Sequence, residues 1–475
     1  MNKTSVILFA LLLIAVPSVF IPDTFASTQN RTDSAQIPQA NSWTTMAPMP
    51  TARNGLEAAE VDGKIYAIGG YDEHSNGSGV NQMYDPETNT WTTKAPMPTA
   101  RIQFALAVYQ GKIYCFGGTL QNSTNPRDSQ HCAVNEVYDP ATDTWTTKAA
   151  MPSARWLLGA NTVGDKIYLI GGLPDHTLNW AYDPTTDTYT TKAPLQYNEY
   201  NGVYQSTLAF KISFGISAAL DNQIVWFGSV LPTTEYGYKK ATLLYNPEND
   251  SWTAKTPLPG YLESQEQTAT TTGTYASKMI YVFGSNVVAA YSPASDTWKY
   301  VMYHSMLSGF GAVACNDRIY LLGGSSAAPV FNGNQFIGFR YKIHNINDQY
   351  TPLGYGTIPP TISATSPQNS TFTVKDSLLF NVNKPVDSMS YSLDGQNNAT
   401  FTGNLTLSEI PVGTNNMTVY ATDTFGNVGT SETVYFTIKQ VELKPFPAVL
   451  IGVAVAAVAI AVACLVIYLK RNKRG

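Results

Sequence analysis

The amino-acid sequence predicts an all-β protein: a six-bladed β-propeller whose last blade is closed by the N-terminal strand, then a β-sandwich and one C-terminal transmembrane helix. Three observations support this fold class. Landmarks recur about every 50 residues through roughly the first two-thirds of the chain, short alternating strands follow, and an uncharged apolar stretch lies near the C-terminus.

The composition suits short strands and tight turns more than helices. The 475 residues include 35 Gly, 29 Tyr and 28 Pro, and only 13% are charged. The net charge is −5 and the body of the chain has no basic patch, which argues against nucleic acid as a partner. The four cysteines form no CxxC pair and no cluster with histidine, so we expect no metal site and no cofactor.

Three landmarks recur in a constant order. They are an apolar run ending in glycine, as in "GKIYAIGG", a turn followed by an aromatic residue, as in "YDPETNTW", and a segment such as "APMPTAR". The glycine landmarks lie at Gly69, Gly117, Gly171, Gly228, Gly284 and Gly323. The closing aromatic residues are Trp43, Trp91, Trp145, Tyr189, Trp252 and Trp298.

Each repeat is interpreted as four strands, which in the first copy are "GLEAAEV", "KIYAIGG", "VNQMYDP" and "TWTTK". Apolar runs are typical of strands buried on both faces, and glycine permits a positive φ and close backbone approach. Asp-Pro closes the following hairpin, and the Trp ring packs against a neighbouring sheet. Four-stranded units that cannot bury their faces alone favour a propeller.

The order of the landmarks predicts how the ring closes. Trp43 precedes the first glycine pair, and no Trp follows the last one. The segment "NSWTTMAPMP" is therefore expected to supply the fourth strand of the last blade. The first three strands of that blade are assigned to "GFGAVACN", "RIYLLGG" and "NQFIGFRYKI", which leaves no free sheet edge in the ring.

The paired glycines, Tyr-Asp-Pro, the spaced Trp residues and "PMPTAR" together resemble kelch repeats over about residues 42–343. The resemblance implies a propeller that binds through its loops. In some kelch domains arginines near the central opening bind acidic peptides, and Arg53, Arg101 and Arg155 occupy that region here. The alternative is that these arginines belong to the repeat itself and bond carbonyls of the next blade.

Kelch propellers also include copper oxidases, which need two His, Tyr ligands and a Tyr cross-linked to Cys. The chain offers no such His pair, so no catalytic residue is assigned and a binding protein is favoured over an enzyme. An extracellular enzyme acting on carbohydrate and a structural envelope component stay open as alternatives.

The longest insertions fall on one face of the predicted ring. Tyrosines with polar neighbours form good recognition surfaces for a protein or a glycan, although they also serve to pack insertions onto the blades. The ligand-binding candidates in these insertions are Tyr200, Tyr204, Tyr236 and Tyr238. Cys115 and Cys132 bracket a hairpin of the second blade and are expected to form a disulfide, the alternative being two unpaired core residues.

The remaining chain divides into segments with different composition. Residues 1–26 resemble a signal peptide, residues 27–41 an N-terminal linker, and residues 42–345 form the predicted propeller. A linker, 346–359, then leads to the predicted immunoglobulin-like sandwich, 360–440. The transmembrane helix is predicted at 447–469, before a cytoplasmic basic tail at 470–475.

Residues 360–440 resemble immunoglobulin-like modules of archaeal cell-surface proteins, which implies a stalk before a membrane anchor. We therefore expect a single-pass cell-membrane protein with extracellular N-terminal domains, which recognises a surface protein or glycan. Extracellular placement predicts N-glycosylation at several of the N-x-S/T sites. These sites are Asn30, Asn76, Asn122, Asn249, Asn369, Asn398, Asn404 and Asn416.

Overall fold

The computed structural model of the chain describes residues 40–74, 77–120, 130–195, 199–200, 203–204, 211–231, 239–259, 267–284, 288–301, 307–332, 335–364, 370–373, 377–402, 405–406, 410–439 and 457–466. The predicted signal peptide lies outside these residues. The part from Ile37 onward forms one compact unit, and its secondary structure is dominated by β-strands.

The described strands include six antiparallel sheets built on one plan. The first strand of the chain is β1 (Ser42–Thr45). Sheet 1 contains β2 (Asn54–Val61), β3 (Lys64–Tyr71), β4 (Asn81–Asp85) and β5 (Thr90–Lys94). Sheet 2 contains β6 (Ala105–Tyr109), β7 (Lys112–Phe116), β10 (Asn135–Asp139) and β11 (Thr144–Lys148), and β8 (Thr119–Leu120) pairs with β9 (Gln130–His131) beside it.

Three further sheets follow the same order. Sheet 3 contains β12 (Gly159–Val163), β13 (Lys166–Ile170), β14 (Asn179–Asp183) and β15 (Thr188–Thr191), followed by a small hairpin of β16 (Glu199–Tyr200) and β17 (Val203–Tyr204). Sheet 4 contains β18 (Lys211–Leu220), β19 (Gln223–Leu231), β20 (Lys239–Asn246) and β21 (Ser251–Lys255). Sheet 5 contains β22 (Gln267–Thr270), β23 (Ile280–Phe283), β24 (Val288–Ser292) and β25 (Thr297–Tyr300).

Sheet 6 joins the two ends of this region. It contains β26 (Ser308–Cys315), β27 (Arg318–Asn332), β28 (Gln335–Ile343), β29 (Asn347–Thr351) and the N-terminal β1. The first strand of each sheet contacts the first strand of the next, from β2 through β6, β12, β18, β22 and β26 back to β2. These contacts form a closed ring around the central axis.

Sheets 1 to 5 are formed by the strands that the repeat predicts, and in sheet 1 the second strand is the most buried. In β3 the six residues from Ile65 to Gly70 are buried, because neighbouring sheets cover both faces of the strand. The turn from β2 to β3 places Asp62 and Gly63 at φ values of 51° and 75°, which only Gly, Asn and Asp adopt at low cost.

The third strand of sheet 6 differs from the sequence prediction. The strand that pairs with β1 and β27 is β29, whereas "NQFIGFRYKI" forms β28, which pairs with the distal half of β27. The prediction was wrong because β28 has the stronger apolar alternation, while "NDQYT" is short and polar. All five residues of β29 are nevertheless buried. The sheet thus extends past residue 345, into the predicted linker.

A second set of strands follows the ring. A six-stranded sheet contains β31 (Ser370–Thr373), β34 (Ser388–Leu393), β35 (Ala399–Phe401), β37 (Gly413–Thr422), β38 (Val428–Thr430) and β39 (Val434–Lys439). Two short pairs join β30 (Ile362–Ala364) to β33 (Phe380–Val382) and β32 (Ser377–Leu378) to β36 (Leu405–Thr406). Alternate residues of β37, among them Met417, Val419 and Ala421, face one buried apolar cluster.

The predicted transmembrane span is described only in part. Residues 457–466 of the predicted span 447–469 form a helix. Over the ranges that the structure describes, no helix has both the length and the apolar character required to cross a membrane.

The segment between the ring and the second set of strands is packed against both. The rings of Tyr275, Tyr355 and Phe425 form a cluster, with centroids 5.8 Å apart for Tyr275 and Tyr355 and 5.9 Å apart for Tyr355 and Phe425. The Gly356 amide donates to the Tyr275 carbonyl at 2.7 Å, and the Asn427 side chain donates to the Gly356 carbonyl at 2.7 Å. These contacts join the ring to the C-terminal strands.

Candidate functional site

The three arginines that were ligand-binding candidates have no exposed surface. Arg53 donates to the carbonyls of Gly69, Ala67 and Val80 within its own sheet, at 2.6, 3.2 and 3.0 Å. Because these carbonyls replace water, the cation stays hydrogen-bonded, although burial lowers its pKa to about 9. The ligand-binding assignment was therefore wrong for Arg53.

Arg101 and Arg155 repeat this arrangement. Arg155 donates to the Gly171 and Leu169 carbonyls at 2.7 and 3.5 Å, and its guanidinium lies 3.9 Å from the centre of the Trp180 ring. Arg101 donates to the Cys115 carbonyl at 2.9 Å and forms a buried ion pair with Glu136. The alternative in which the arginines belong to the repeat agrees with these contacts, except that the carbonyls belong to the same sheet rather than the next.

The backbone of each arginine, in contrast, contacts the preceding sheet. The amides of Gly324, Gly70 and Gly118 donate to the carbonyls of Arg53, Arg101 and Arg155, at 2.8, 3.3 and 2.8 Å respectively. A side chain on the first glycine of the pair would collide there, since an added Cβ would lie 2.3 Å from the Arg155 carbonyl oxygen at Gly117. The paired glycines and the arginine therefore form one joint between neighbouring sheets.

A second joint lies at the outer edge of the sheets. In sheet 2, Asp143 accepts the Tyr138 hydroxyl at 2.6 Å and the Ala95 amide at 2.8 Å, and the Trp145 indole donates to the Ala95 carbonyl at 2.8 Å. The same three bonds recur in other sheets. Most landmark residues of the repeat are thus used to hold the ring together, so recognition has to come from other residues.

The first strands of the six sheets surround a central cavity of about 470 Å³. This volume lies in the range of small-molecule sites, roughly 300–1,000 Å³. Its lining is mostly small and apolar, with amide and hydroxyl side chains between. Among the lining residues, Glu57 and Glu60 are the charged ones, and both are acidic. We call this cavity the channel.

Glu57 is partly exposed to the channel and accepts a hydrogen bond from a sheet that is not its neighbour. The Gln267 side chain, in sheet 5, donates to Glu57 Oε1 at 3.2 Å, although sheet 6 lies between their two sheets. The intervening β26 carries Gly311 beside this position, where an added Cβ would lie 3.2 Å from Ala58 Cβ. Burial in the channel raises the pKa of Glu57 to about 8, and the Gln267 bond opposes the shift in part.

One mouth of the channel is bordered by residues with left-handed backbone. Gly55, Gln103 and Leu157 have φ values of 65°, 53° and 55°, and such values are uncommon for Gln and Leu. The Gln103 amide donates to the Gly55 carbonyl at 3.4 Å, and the Leu157 amide donates to the Gln103 carbonyl at 3.0 Å. These bonds link sheets 1, 2 and 3 around the mouth.

The paired segments 325–332 and 335–343, called here the 325–343 hairpin, extend from sheet 6 beside this mouth, and the sequence analysis missed them as a separate element. At its base, Asn54 donates to Ser325 Oγ at 2.7 Å. Alternate residues Ile337, Phe339 and Tyr341 are 59%, 56% and 67% exposed. Exposed Pro329 and Ala327 lie opposite Phe339 and Tyr341 in the register.

The other face of this hairpin is polar. Arg340 and Lys342 are exposed and alternate with the apolar residues, so one face is apolar and the reverse face is basic. Tyr341 lies near Tyr71 of sheet 1, where its hydroxyl adds to the effect of burial in raising the pKa of Tyr71. The alternation in "QFIGFRYKI" is the signal that could have identified this amphipathic hairpin from the sequence.

The predicted disulfide is absent, since Cys115 and Cys132 are both free. Cys115 points into the apolar contact between sheets 1 and 2, where burial raises the pKa of its thiol to about 12. Cys132 instead donates from Sγ to the Gly117 carbonyl at 3.4 Å. The prediction was wrong because the two side chains have separate partners, as in the alternative of two unpaired core residues.

The tyrosine candidates remain predictions. Tyr236 and Tyr238 lie outside the described residues, and Tyr200 and Tyr204 lie in the paired strands β16 and β17, whose side chains are not described. Five of the glycosylation candidates also lie outside the described residues and remain predictions, namely Asn30, Asn76, Asn122, Asn369 and Asn404.

Three glycosylation candidates fall within the described chain. Asn249 and Asn398 are exposed. Asn416 is partly buried, and its side-chain nitrogen donates to Asp394 Oδ1 at 3.0 Å. A glycan on Asn416 would have to displace this bond, so Asn249 and Asn398 are the better placed acceptors.

Comparison with known proteins identifies the repeat. Residues 30–172 match the family model described as the KLHDC2/KLHL20/DRC7 kelch-repeats domain. Kelch-like protein 7 of Homo sapiens is 53% identical over 132 residues, which cover 28% of this chain and 22% of that protein. Kelch-like protein terF of Aspergillus terreus is 36% identical over 133 residues, which cover 28% of this chain and 18% of that protein.

The matches thus span about a fifth of the length of these relatives. A solved structure titled "Structure of YjhT" is 12% identical with a TM-score of 0.48, and the alignment covers 72% of this chain and 100% of that chain. Residues 30–172 thus contain kelch repeats, as their motifs indicated. Kelch repeats commonly mediate protein binding.

Proposed function

We propose that this chain is a cell-surface binding protein whose six-bladed propeller recognises a protein partner through the face that carries the channel mouth. The single observation that supports this most directly is the exposed apolar face of the 325–343 hairpin on that side of the ring. Three large exposed side chains on one strand are unusual for a surface that only meets water, and aromatic anchors dominate protein interfaces.

The charge of the hairpin indicates the chemistry of the partner. Residues 325–343 contain Arg340 and Lys342 and no acidic residue. Among the described strands β28 pairs with β27 alone, so its outer edge can accept an extended segment by strand addition. We expect a partner segment with apolar side chains at alternate positions and carboxylates between them. A glycan ligand is the alternative.

The experiment compares hairpin variants of the full chain, reconstituted in nanodiscs, on arrays of purified surface proteins and of glycans. The double substitution of Phe339→Ser and Tyr341→Ser removes the central anchors, and we expect it to abolish binding to proteins that the native chain retains. Tyr300→Ser is the matched control, because Tyr300 is 73% exposed but lies on the outer strand of sheet 5.

Two results contradict the proposal. Protein binding that survives the double substitution places recognition elsewhere on the chain. Binding only to glycans, unaffected by either variant, replaces the protein partner with the glycan alternative.

The C-terminal sandwich is proposed as a stalk, with the chain anchored through 447–469 and the propeller outside the cell. The support is compositional: the apolar stretch is followed at once by Lys470, Arg471, Lys473 and Arg474. Membranes washed with alkaline carbonate should retain the full chain and release a chain that stops at residue 446. Release of both would contradict the anchor.

A further inference from the structure

We propose that the channel binds a small organic ammonium ion, with Glu57 as its counter-ion. This proposal goes beyond the proposed protein recognition, since the site uses the first strands of the sheets rather than the hairpin.

The charged side chains around the channel determine whether it favours a cationic or an anionic ligand. The described lining includes two carboxyl groups, those of Glu57 and Glu60, and no Lys, Arg or His. A cation that enters therefore meets attraction without competition from a protein cation. The interaction is strong because the sheets exclude water around the strands, which lowers the effective dielectric constant.

The geometry leaves Glu57 available. Gln267 is its side-chain hydrogen-bond partner among the described residues, and that bond uses Oε1. Oε2 therefore remains for a ligand. Glu60 differs, because its Oε1 accepts the Gly63 amide at 2.6 Å and so caps the hairpin turn. Of the two acids, Glu57 is the one placed to pair with an ammonium group.

The remaining lining fits an organic ion better than a metal ion. Leu106 and Ile216 line the channel, are only partly buried and contribute apolar surface, which suits the carbon substituents of an ammonium group. Asn161 and Ser217 are hydrogen-bonded to each other at 2.7 Å and supply neutral polar groups for a ligand hydroxyl. Over the described residues, no group of three His, Cys, Asp or Glu could hold a metal ion.

Binding is coupled to the release of a proton. Burial raises the pKa of Glu57 to about 8, so at neutral pH the empty channel holds mainly the protonated acid. An ammonium ion pairs with the carboxylate and thus displaces the proton. The titratable groups near Glu57 are Glu60 on the same strand and the Cys115 thiol, whose pKa of about 12 keeps it neutral. The other first strands, β6, β12, β18, β22 and β26, contribute no titratable side chain to the described lining.

The test uses choline as the probe, because its charge does not titrate, and its neutral isostere with a tert-butyl group as the ligand control. Isothermal titration calorimetry of the full chain should show binding of choline and no binding of the neutral isostere. The affinity should fall about tenfold for each pH unit that the pH drops below about 8, and binding there should release up to one proton into the buffer.

Two variants separate a binding role from a structural one. Glu57→Gln keeps the bond to Gln267 and should weaken choline binding at least tenfold while the melting temperature stays close to native. Glu60→Gln is the control and should leave binding within about twofold. Equal binding by Glu57→Gln, binding of the neutral isostere, or no binding of choline at any pH would each overturn the proposal. A protein-array result for the hairpin variants is independent of all three.

Discussion

The landmark residues of the repeat are explained by contacts of individual atoms. Gly117 has a φ of 63°, and the space beside its Cα is taken by the Arg155 carbonyl oxygen. The Arg155 side chain turns away to satisfy carbonyls in its own sheet. Glycine is thus required twice, once for the backbone angle and once for the approach of the next sheet.

Gly117→Ala and Gly111→Ala separate these two requirements. Both residues lie in sheet 2 at positive φ, but an added Cβ at Gly111 meets nothing within 4 Å. We expect Gly111→Ala to cost about 1–2 kcal/mol from the left-handed conformation alone. Gly117→Ala should cost several kcal/mol more, since the contact with Arg155 forces the sheets apart. Urea unfolding of the two variants measures the difference, and equal losses would show that the contact is relieved cheaply.

At the scale of strands, some strands are specified by their own sequence pattern and others by the strands with which they pair. The strands of sheets 1 to 3 follow the repeat because each second strand is apolar on both faces and each turn carries Asp or Gly. The strand β29 follows no such pattern, and its place in sheet 6 depends on pairing with β1 and β27. Tyr350 in β29 donates to Asn41 Oδ1 at 2.9 Å, which repeats the bond from Tyr84 to Asn89 in sheet 1. The sequence therefore contains this Tyr–Asn pair in sheet 6 too, but its two members lie at opposite ends of the ring-forming region.

At the scale of the whole molecule, the ring and the C-terminal strands are joined by buried polar groups as well as by aromatic rings. Lys384 Nζ lies 2.7 Å from Asp423 Oδ2, and both side chains are almost fully buried. Lys384 also donates to the Ile358 carbonyl and lies 5.4 Å from the Tyr275 ring centre. The predicted linker therefore runs through a packed junction.

Lys384→Met should destabilise this junction by about 3–5 kcal/mol, because it leaves Asp423 buried without its cation. The double substitution of Lys384→Met and Asp423→Leu should recover much of the loss, since neither charge then remains. Thermal unfolding monitored by Trp fluorescence compares the two. A single variant as stable as the native chain would show that water reaches Asp423.

The junction should also depend on pH. Burial alone would raise the pKa of Asp423, but its bonds to Lys384 and Asn427 and to backbone amides outweigh this and leave the pKa below the usual 3.8. A carboxylate with a lowered pKa stabilises the fold above its unfolded pKa and loses that effect as the pH falls through the folded value. Acid below about pH 4 should therefore weaken the junction, and Asp423→Asn should remove this dependence. Unchanged acid sensitivity in that variant would assign it to other carboxylates.

The sequence by itself determined the all-β class, the repeat and the strands of the regular sheets. These depend on local causes, which are the apolar runs, the turn residues and the glycine pairs. The repeat also indicated the alternative in which the three arginines are structural residues of each unit, and their burial favours that alternative. The sequence did not decide between this alternative and the predicted peptide-binding role, because it does not show whether an arginine near the axis points into the opening or into its own sheet.

Only the tertiary structure decided the pairing of β29, the free state of Cys115 and Cys132, the exposed hairpin and the bond between Glu57 and Gln267. The two longest connections are the pairing of β29 with β1, where Tyr350 and Asn41 are 309 positions apart, and the bond between Glu57 and Gln267, which are 210 positions apart. A repeat specifies each unit and its nearest neighbour, since those contacts recur with the period. Contacts that occur once, across the channel or where the ring closes, depend on which side chains the closed ring brings together.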